Sequence, residues 1–276
     1  MAEVMSLAIT IFMAAPILAP SFGQLVLFAA PWRGIFLVLL VYGAVIALWA
    51  YFRVPETLAP ADRASLNLKR IGGAYRMFLG NRTAVGYTLA AALSFGALFG
   101  YISASEQIFV ETFDLGARFP LAFACVAGSL GAATLLNARI VRRYGMRRLS
   151  HGGVIVFVIV NLIHLAVAVG ADENFFVFMA FMMVSFFCLG LIGSNMASLA
   201  MEPMGHIAGA AAAANGFAGT TLAGFLGGLV GRQYDGTTTP VIAGFTALGL
   251  GALGVVLWTE KGRLFGSRDN EIEATD

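Results

Sequence analysis

The chain has 276 residues, of which 59% are apolar and only 12% charged, with a formal net charge of +2. A water-soluble domain of this length carries about 25% charged residues, so the composition argues against a soluble enzyme or a nucleic-acid-binding domain. The apolar residues run in long unbroken stretches. Hydrocarbon offers a peptide group no hydrogen-bond partner, so such stretches must satisfy their own backbones as helices.

A helix needs about 20 apolar residues to cross a bilayer. Eight segments qualify, at 4–28, 32–52, 84–104, 119–138, 152–170, 175–199, 206–230 and 240–259. The expected fold class is therefore all-α, a polytopic helical membrane protein with eight transmembrane helices.

The first stretch carries Ala15-Pro16-Ile17-Leu18-Ala19-Pro20-Ser21-Phe22-Gly23-Gln24. Prolines four apart, Pro16 and Pro20, each remove a backbone donor and bend the helix, while Gly23 admits a close neighbour. The second is entered through Pro31-Trp32-Arg33 and left through Pro55-Glu56-Thr57. Only the connection after it is long. From Ser65 onward its apolar residues Leu68, Ile71, Tyr75 and Phe78/Leu79 recur every three or four positions. That spacing predicts an amphipathic helix on the membrane surface, weakened by Gly72-Gly73. The organisation expected is a pair of helices (1–55), a linker with an interfacial helix (56–83), a six-helix bundle (84–260) and a tail (261–276).

Lys and Arg fall unevenly between alternate connections: 14 in one set and 3 in the other. Positive residues remain on the cytoplasmic side, so both termini are expected there, in a multi-pass protein of the inner (plasma) membrane. Trp32, Trp49 and Trp258 fall at expected water–lipid boundaries, as an aromatic belt requires.

Ionisable residues are scarce inside the spans. His164, with Asn161 one turn earlier, reads as a hydrogen-bonded contact between helices in preference to a proton relay. Candidate substrate-cavity residues are Ser103 and Gln107 on the third span, Asn195 on the sixth and Asn215 on the seventh. Phe95, Phe99, Met182, Met183 and Phe186 offer an adaptable apolar lining. Gly249-Leu250-Gly251-Ala252-Leu253-Gly254 spells a dinucleotide fingerprint but lacks the preceding strand that such a site needs. Gly96…Gly100 and Gly224…Gly228 are expected to mark close helix packing. Cys125 and Cys188 lie in apolar stretches with no metal-ligand spacing around them. No metal, cofactor or catalytic constellation is expected.

The connection after the fourth span reads Asn137-Ala138-Arg139-Ile140-Val141-Arg142-Arg143-Tyr144-Gly145-Met146-Arg147-Arg148. Cations at a helix C-terminus are favoured by its carbonyls and by acidic phospholipid. The Arg143-x-Gly145-x-Arg147-Arg148 spacing is more than topogenic charge requires. With the paired prolines and Pro55-Glu56-Thr57, it resembles the major facilitator superfamily of secondary transporters. Within that family the chain is most similar to the drug-efflux subgroup of the Bcr/CflA type. The resemblance implies that Pro16, Pro20 and Gly23 belong to an antiporter-type helix motif and that Arg143, Gly145, Arg147 and Arg148 form the cytoplasmic loop motif. Arg142 stands where the fuller motif has Asp. It further implies helices five to twelve of a twelve-helix fold, and proton-coupled efflux of small amphipathic molecules from an incomplete helix set. Its partners would be those molecules, protons and the lipid bilayer, with no nucleic acid. A non-transporting truncated membrane protein with a structural or interaction role is the alternative.

Overall fold

The computed structural model describes residues 22–23, 25–55, 68–170 and 173–266. The chain divides into two units, Met1–Leu68 and Lys69–Asp276.

In the first unit, residues 22–23 and 25–29 are helical, and α1 spans Arg33–Arg53. No residue of α1 is buried. A helix apolar on every side gains nothing from facing water and is suited to lipid or to other membrane helices. Pro16, Pro20 and Gln24 lie outside the described residues. Gly23 is helical, and nothing lies within 4 Å of where its Cβ would stand.

α2, Leu68–Gly80, lies in the second unit from its second residue on and is the expected helix in spite of its two glycines. Phe78 anchors it, buried in a small cluster with Ala84, Met204, Ala211 and Ala214. Six long helices follow: α3 Arg82–Glu106, α4 Phe119–Tyr144, α5 Met146–Gly170, α6 Phe175–Met201, α7 Ala208–Gly231 and α8 Thr239–Thr259. α3 lies at the centre, packed against α6, α7 and α8; α6 also packs on α4 and α5, and α5 on α8.

Two helices overrun their expected ends. α3 continues into a π-helical turn, Gln107–Thr112, held to the α7–α8 connection by Thr112 Oγ1 and the Tyr234 hydroxyl at 2.8 Å. α4 runs on to Tyr144, so the expected basic loop is mostly helix and only Gly145 separates α4 from α5. Gly145 has φ +80°, a backbone state that L side chains rarely adopt, and its N–H caps the Val141 carbonyl at 2.8 Å. In the α7–α8 turn, Thr237 donates from its hydroxyl and its backbone N–H to Asp235, which holds that carboxyl below the usual carboxylate range.

Among the described residues, six helices are long and apolar enough to cross a bilayer: α1, α3 with its extension, α4, α5, α6 with the turn after it, and α8. The chain is thus an all-α polytopic membrane protein. α7 has 24 residues, which span about 36 Å, but seven glycines, Asn215, Thr220 and Thr221 dilute its hydropathy. The 4–28 segment lies mostly outside the described residues.

The small residues of α7 serve packing. A Cβ on Gly227 would stand 2.7 Å from the Gly100 nitrogen, and one on Gly231 would stand 2.5 Å from Ser103 Cβ. Gly96 and Gly100 are close-packed as expected, whereas Gly224 and Gly228 face open space. The α3–α7 contact therefore uses the Gly227…Gly231 pair, displaced three residues from the expected one. A three-residue step turns a helix by about 300° and presents a different face.

Candidate functional site

One end of the six-helix unit carries most of its arginines, and there the ends of α3, α5, α6 and α8 meet in a polar network. Arg147 lies in the first turn of α5, on the stripe that continues through His151, Val154, Phe157 and Asn161 and is buried at those four positions. A period of three to four residues sends that stripe inward and leaves Arg148 exposed. Arg147 Nη2 donates to Glu202 Oε2 at 2.8 Å, and its Nε donates to Glu260 Oε1 at 3.3 Å. Glu202 opens the 3-10 turn after α6, and Glu260 follows α8. One guanidinium, with its forked donors, thus ties the ends of two helices to the start of a third.

A second branch runs inward from Glu260. Tyr87, fully buried near the start of α3, donates its hydroxyl to Glu260 Oε1. The Tyr87 hydroxyl oxygen also lies 2.9 Å from His151 Nε2, and the Phe265 backbone N–H donates to His151 Nδ1 at 3.1 Å. These contacts assign the tautomer. Nδ1 faces a donor and must be the acceptor, so the ring proton sits on Nε2 and points to the Tyr87 oxygen. The chain is directed from His151 through Tyr87 to Glu260, with the imidazole neutral. Beside it, Arg82 donates to the Trp258 carbonyl, and its guanidinium lies 4.8 Å from the Trp258 ring centroid. Gly86 lies against the Thr259 side chain with no room for a Cβ.

The arrangement contains no nucleophile aligned with a base. It is a hub that fixes four helix ends and the residues after α8 by charge-assisted hydrogen bonds. Breaking it leaves two carboxylates and a phenol to be solvated again.

Of the loop-motif residues, the structure brings only Arg147 into this hub. Gly145 makes the reversal that presents it. Arg143 is exposed, with its guanidinium 5.6 Å from the Tyr144 ring, and Arg148 is exposed. Sequence reasoning missed Glu202, Glu260, Tyr87 and His151. The available signal was a glutamate shortly after each of the sixth and eighth spans, Glu260 beside Lys261 and Arg263.

The four cavity candidates do not converge. Ser103 donates to the Phe99 carbonyl at 2.9 Å, and the Gln107 carbonyl accepts from Tyr234 at 3.2 Å. Asn215 accepts from the Thr88 hydroxyl at 2.6 Å. Thr88 and Ser103 are fifteen positions apart on α3, a rise of about 22 Å. Asn195 is buried and exchanges amide bonds with Asn137 of α4, the shorter at 2.7 Å. Met182 and Phe186 are core residues, whereas Met183 is exposed.

The family model described as the Major Facilitator Superfamily matches residues 2–228. A bicyclomycin resistance protein homolog of Haemophilus influenzae is 26% identical over 256 residues, covering 88% of this chain and 61% of that protein. The uncharacterized MFS-type transporter YdgK of Bacillus subtilis is 27% identical over 236 residues, covering 82% of this chain and 57% of that one. The multidrug resistance protein MdtL of Salmonella heidelberg is 31% identical over 110 residues, covering 40% and 27%. The chain therefore spans about six-tenths of the length of the first two relatives.

Proposed function

The chain belongs to the Major Facilitator Superfamily, and we propose that it is part of a proton-coupled efflux carrier for small amphipathic molecules rather than an enzyme. Supporting this is the family match across residues 2–228, together with the bicyclomycin and multidrug resistance proteins among its relatives. In this reading α3–α8 are one six-helix bundle and α1 belongs to the partner bundle. Transport proceeds by rocking of one bundle against the other about a midplane site. Substrate meets polar side chains at separate depths along the pathway, with Ser103, Gln107, Asn195 and Asn215 as the candidates. The Arg147 hub keeps the basic end of the bundle rigid during that motion. Both termini face the cytoplasm, because 14 of the 17 Lys and Arg residues fall on that side.

The test uses the chain in proteoliposomes with an imposed proton gradient and a fluorescent amphipathic cation. Gradient-dependent, saturable movement of the dye supports carrier activity. Saturable quenching of tryptophan fluorescence without movement supports a retained binding site in an incomplete pathway. Neither signal would favour the alternative, a membrane protein with a structural or interaction role.

A further inference from the structure

The end of the bundle opposite the arginines holds a second polar cluster. His164 Nε2 lies 2.6 Å from Glu173 Oε1, in the turn between α5 and α6. The other Glu173 oxygen accepts from the Thr238 hydroxyl, immediately before α8, at 2.7 Å. The two ionisable side chains are 0% and 4% exposed. From α6 the imidazole meets Phe181, stacked at 4.6 Å, and Phe178 at 5.6 Å. Neither titrates, nor does Thr238. Among the described residues, Glu173 has no ion-pair partner besides His164.

Two atoms of this region are buried without a hydrogen-bond partner: Nδ1 of His164 and Oδ1 of Asn161. Residues three apart share one helix face. The first atom is a lone pair that can take a proton. The second is an unsatisfied acceptor on the same helix, one turn earlier.

The proton count decides the stability of the pair. With Nε2–H facing the carboxylate and Nδ1 bare, the cluster carries a net charge of −1 between two phenyl rings. A proton on Nδ1 brings it to zero. A buried charge without full compensation is heavily disfavoured, and imidazole is the side chain whose ordinary titration falls between about pH 5 and 8.

We infer that His164 and Glu173 form a proton-binding site. Uptake of one proton at Nδ1 closes an imidazolium–carboxylate bridge. Its release leaves a buried anion that withdraws Glu173 from Thr238 and loosens the α5–α6 turn from the start of α8. The site is made by this chain alone and stands whether or not the chain transports.

The test is nitrogen-15 spectroscopy of the three histidines, with the full chain in lipid bilayers, between about pH 8.5 and 5.5. One ring is expected to pass from a single N–H to two, and that signal to be absent in His164→Asn. In Glu173→Gln the ring is expected to stay neutral throughout. Should His164→Asn fail to fold, variants of His151 and His206 assign the signal by subtraction. A second readout is thermal unfolding: the wild type is more stable at the acid end of the range, and Glu173→Gln loses that difference. A His164 ring that stays neutral in the wild type, or one that titrates identically in Glu173→Gln, overturns the proposal.

Discussion

The hydroxyl of Tyr87 donates to the carboxylate of Glu260, joining residues 173 positions apart at one end of the bundle. Tyr87 cannot find water there, being fully buried, and Glu260 is shared with Arg147. Removing the phenol oxygen in Tyr87→Phe also strands the N–H on His151 Nε2. The expected loss is about 1–3 kcal/mol, the cost of an unsatisfied buried donor, read as a lower unfolding temperature in detergent.

Arg147→Lys and Arg147→Met separate charge from geometry. Lysine keeps the charge but is a single point rather than a fork, so it reaches one glutamate and recovers part of the stability. Methionine leaves Glu202 and Glu260 facing each other uncompensated. The order expected in thermal unfolding is wild type, then lysine, then methionine; equal effects of the two variants would assign the role to packing alone.

Between α4 and α6, Asn137 and Asn195 exchange amide bonds inside the bundle. Asn137→Leu alone leaves a buried amide short of a partner and costs about 1–3 kcal/mol. Adding Asn195→Leu removes both polar groups, so the double variant is expected to be less destabilised than the two single losses summed. A double-mutant cycle in unfolding free energy measures this coupling.

Gly190 and Gly128 give opposite outcomes for one substitution. A Cβ at Gly190 would stand 2.5 Å from the Leu130 carbonyl oxygen, a backbone atom that cannot yield without parting α4 from α6. Gly190→Ala is expected to destabilise by about 1–3 kcal/mol through overpacking. At Gly128 nothing lies within 4 Å, and alanine should stabilise α4 by about 0.5–1 kcal/mol. Paired unfolding measurements test both signs.

Gly145→Ala forces a side chain onto a backbone at φ +80°. The expected loss is about 1–3 kcal/mol, the cost of a backbone state that is essentially reserved for glycine, since nothing nearby obstructs the new methyl group. Gly145→Asn is expected to lose as much, because with ψ 153° this backbone lies outside the left-handed helical region that asparagine tolerates.

The long helices were legible in the sequence because lipid imposes one backbone solution on an apolar run, and the Arg-rich connection was legible because its charges recur on one side. The partners of Arg147 were not. Glu202 and Glu260 are respectively 55 and 113 positions from it, and only the packing of α5 against α6 and α8 brings them near. For the same reason Asn195, which read as a cavity residue, meets Asn137, 58 positions away, whereas His164 meets Glu173 only nine positions on, where the chain reverses between α5 and α6. The glycine pattern failed at Gly224 and Gly228 because several four-residue spacings coexist on α7, and periodicity does not say which one faces α3.

At Gly227 and Gly231, α7 rests on the backbone of α3 and on the Cβ of Ser103 with almost no side-chain layer between. Rotamer changes, the usual lubricant of sliding helices, have nothing to act on at these two positions. The two helices must travel as a single beam, and any flexing within the bundle has to be absorbed where bulkier side chains intervene.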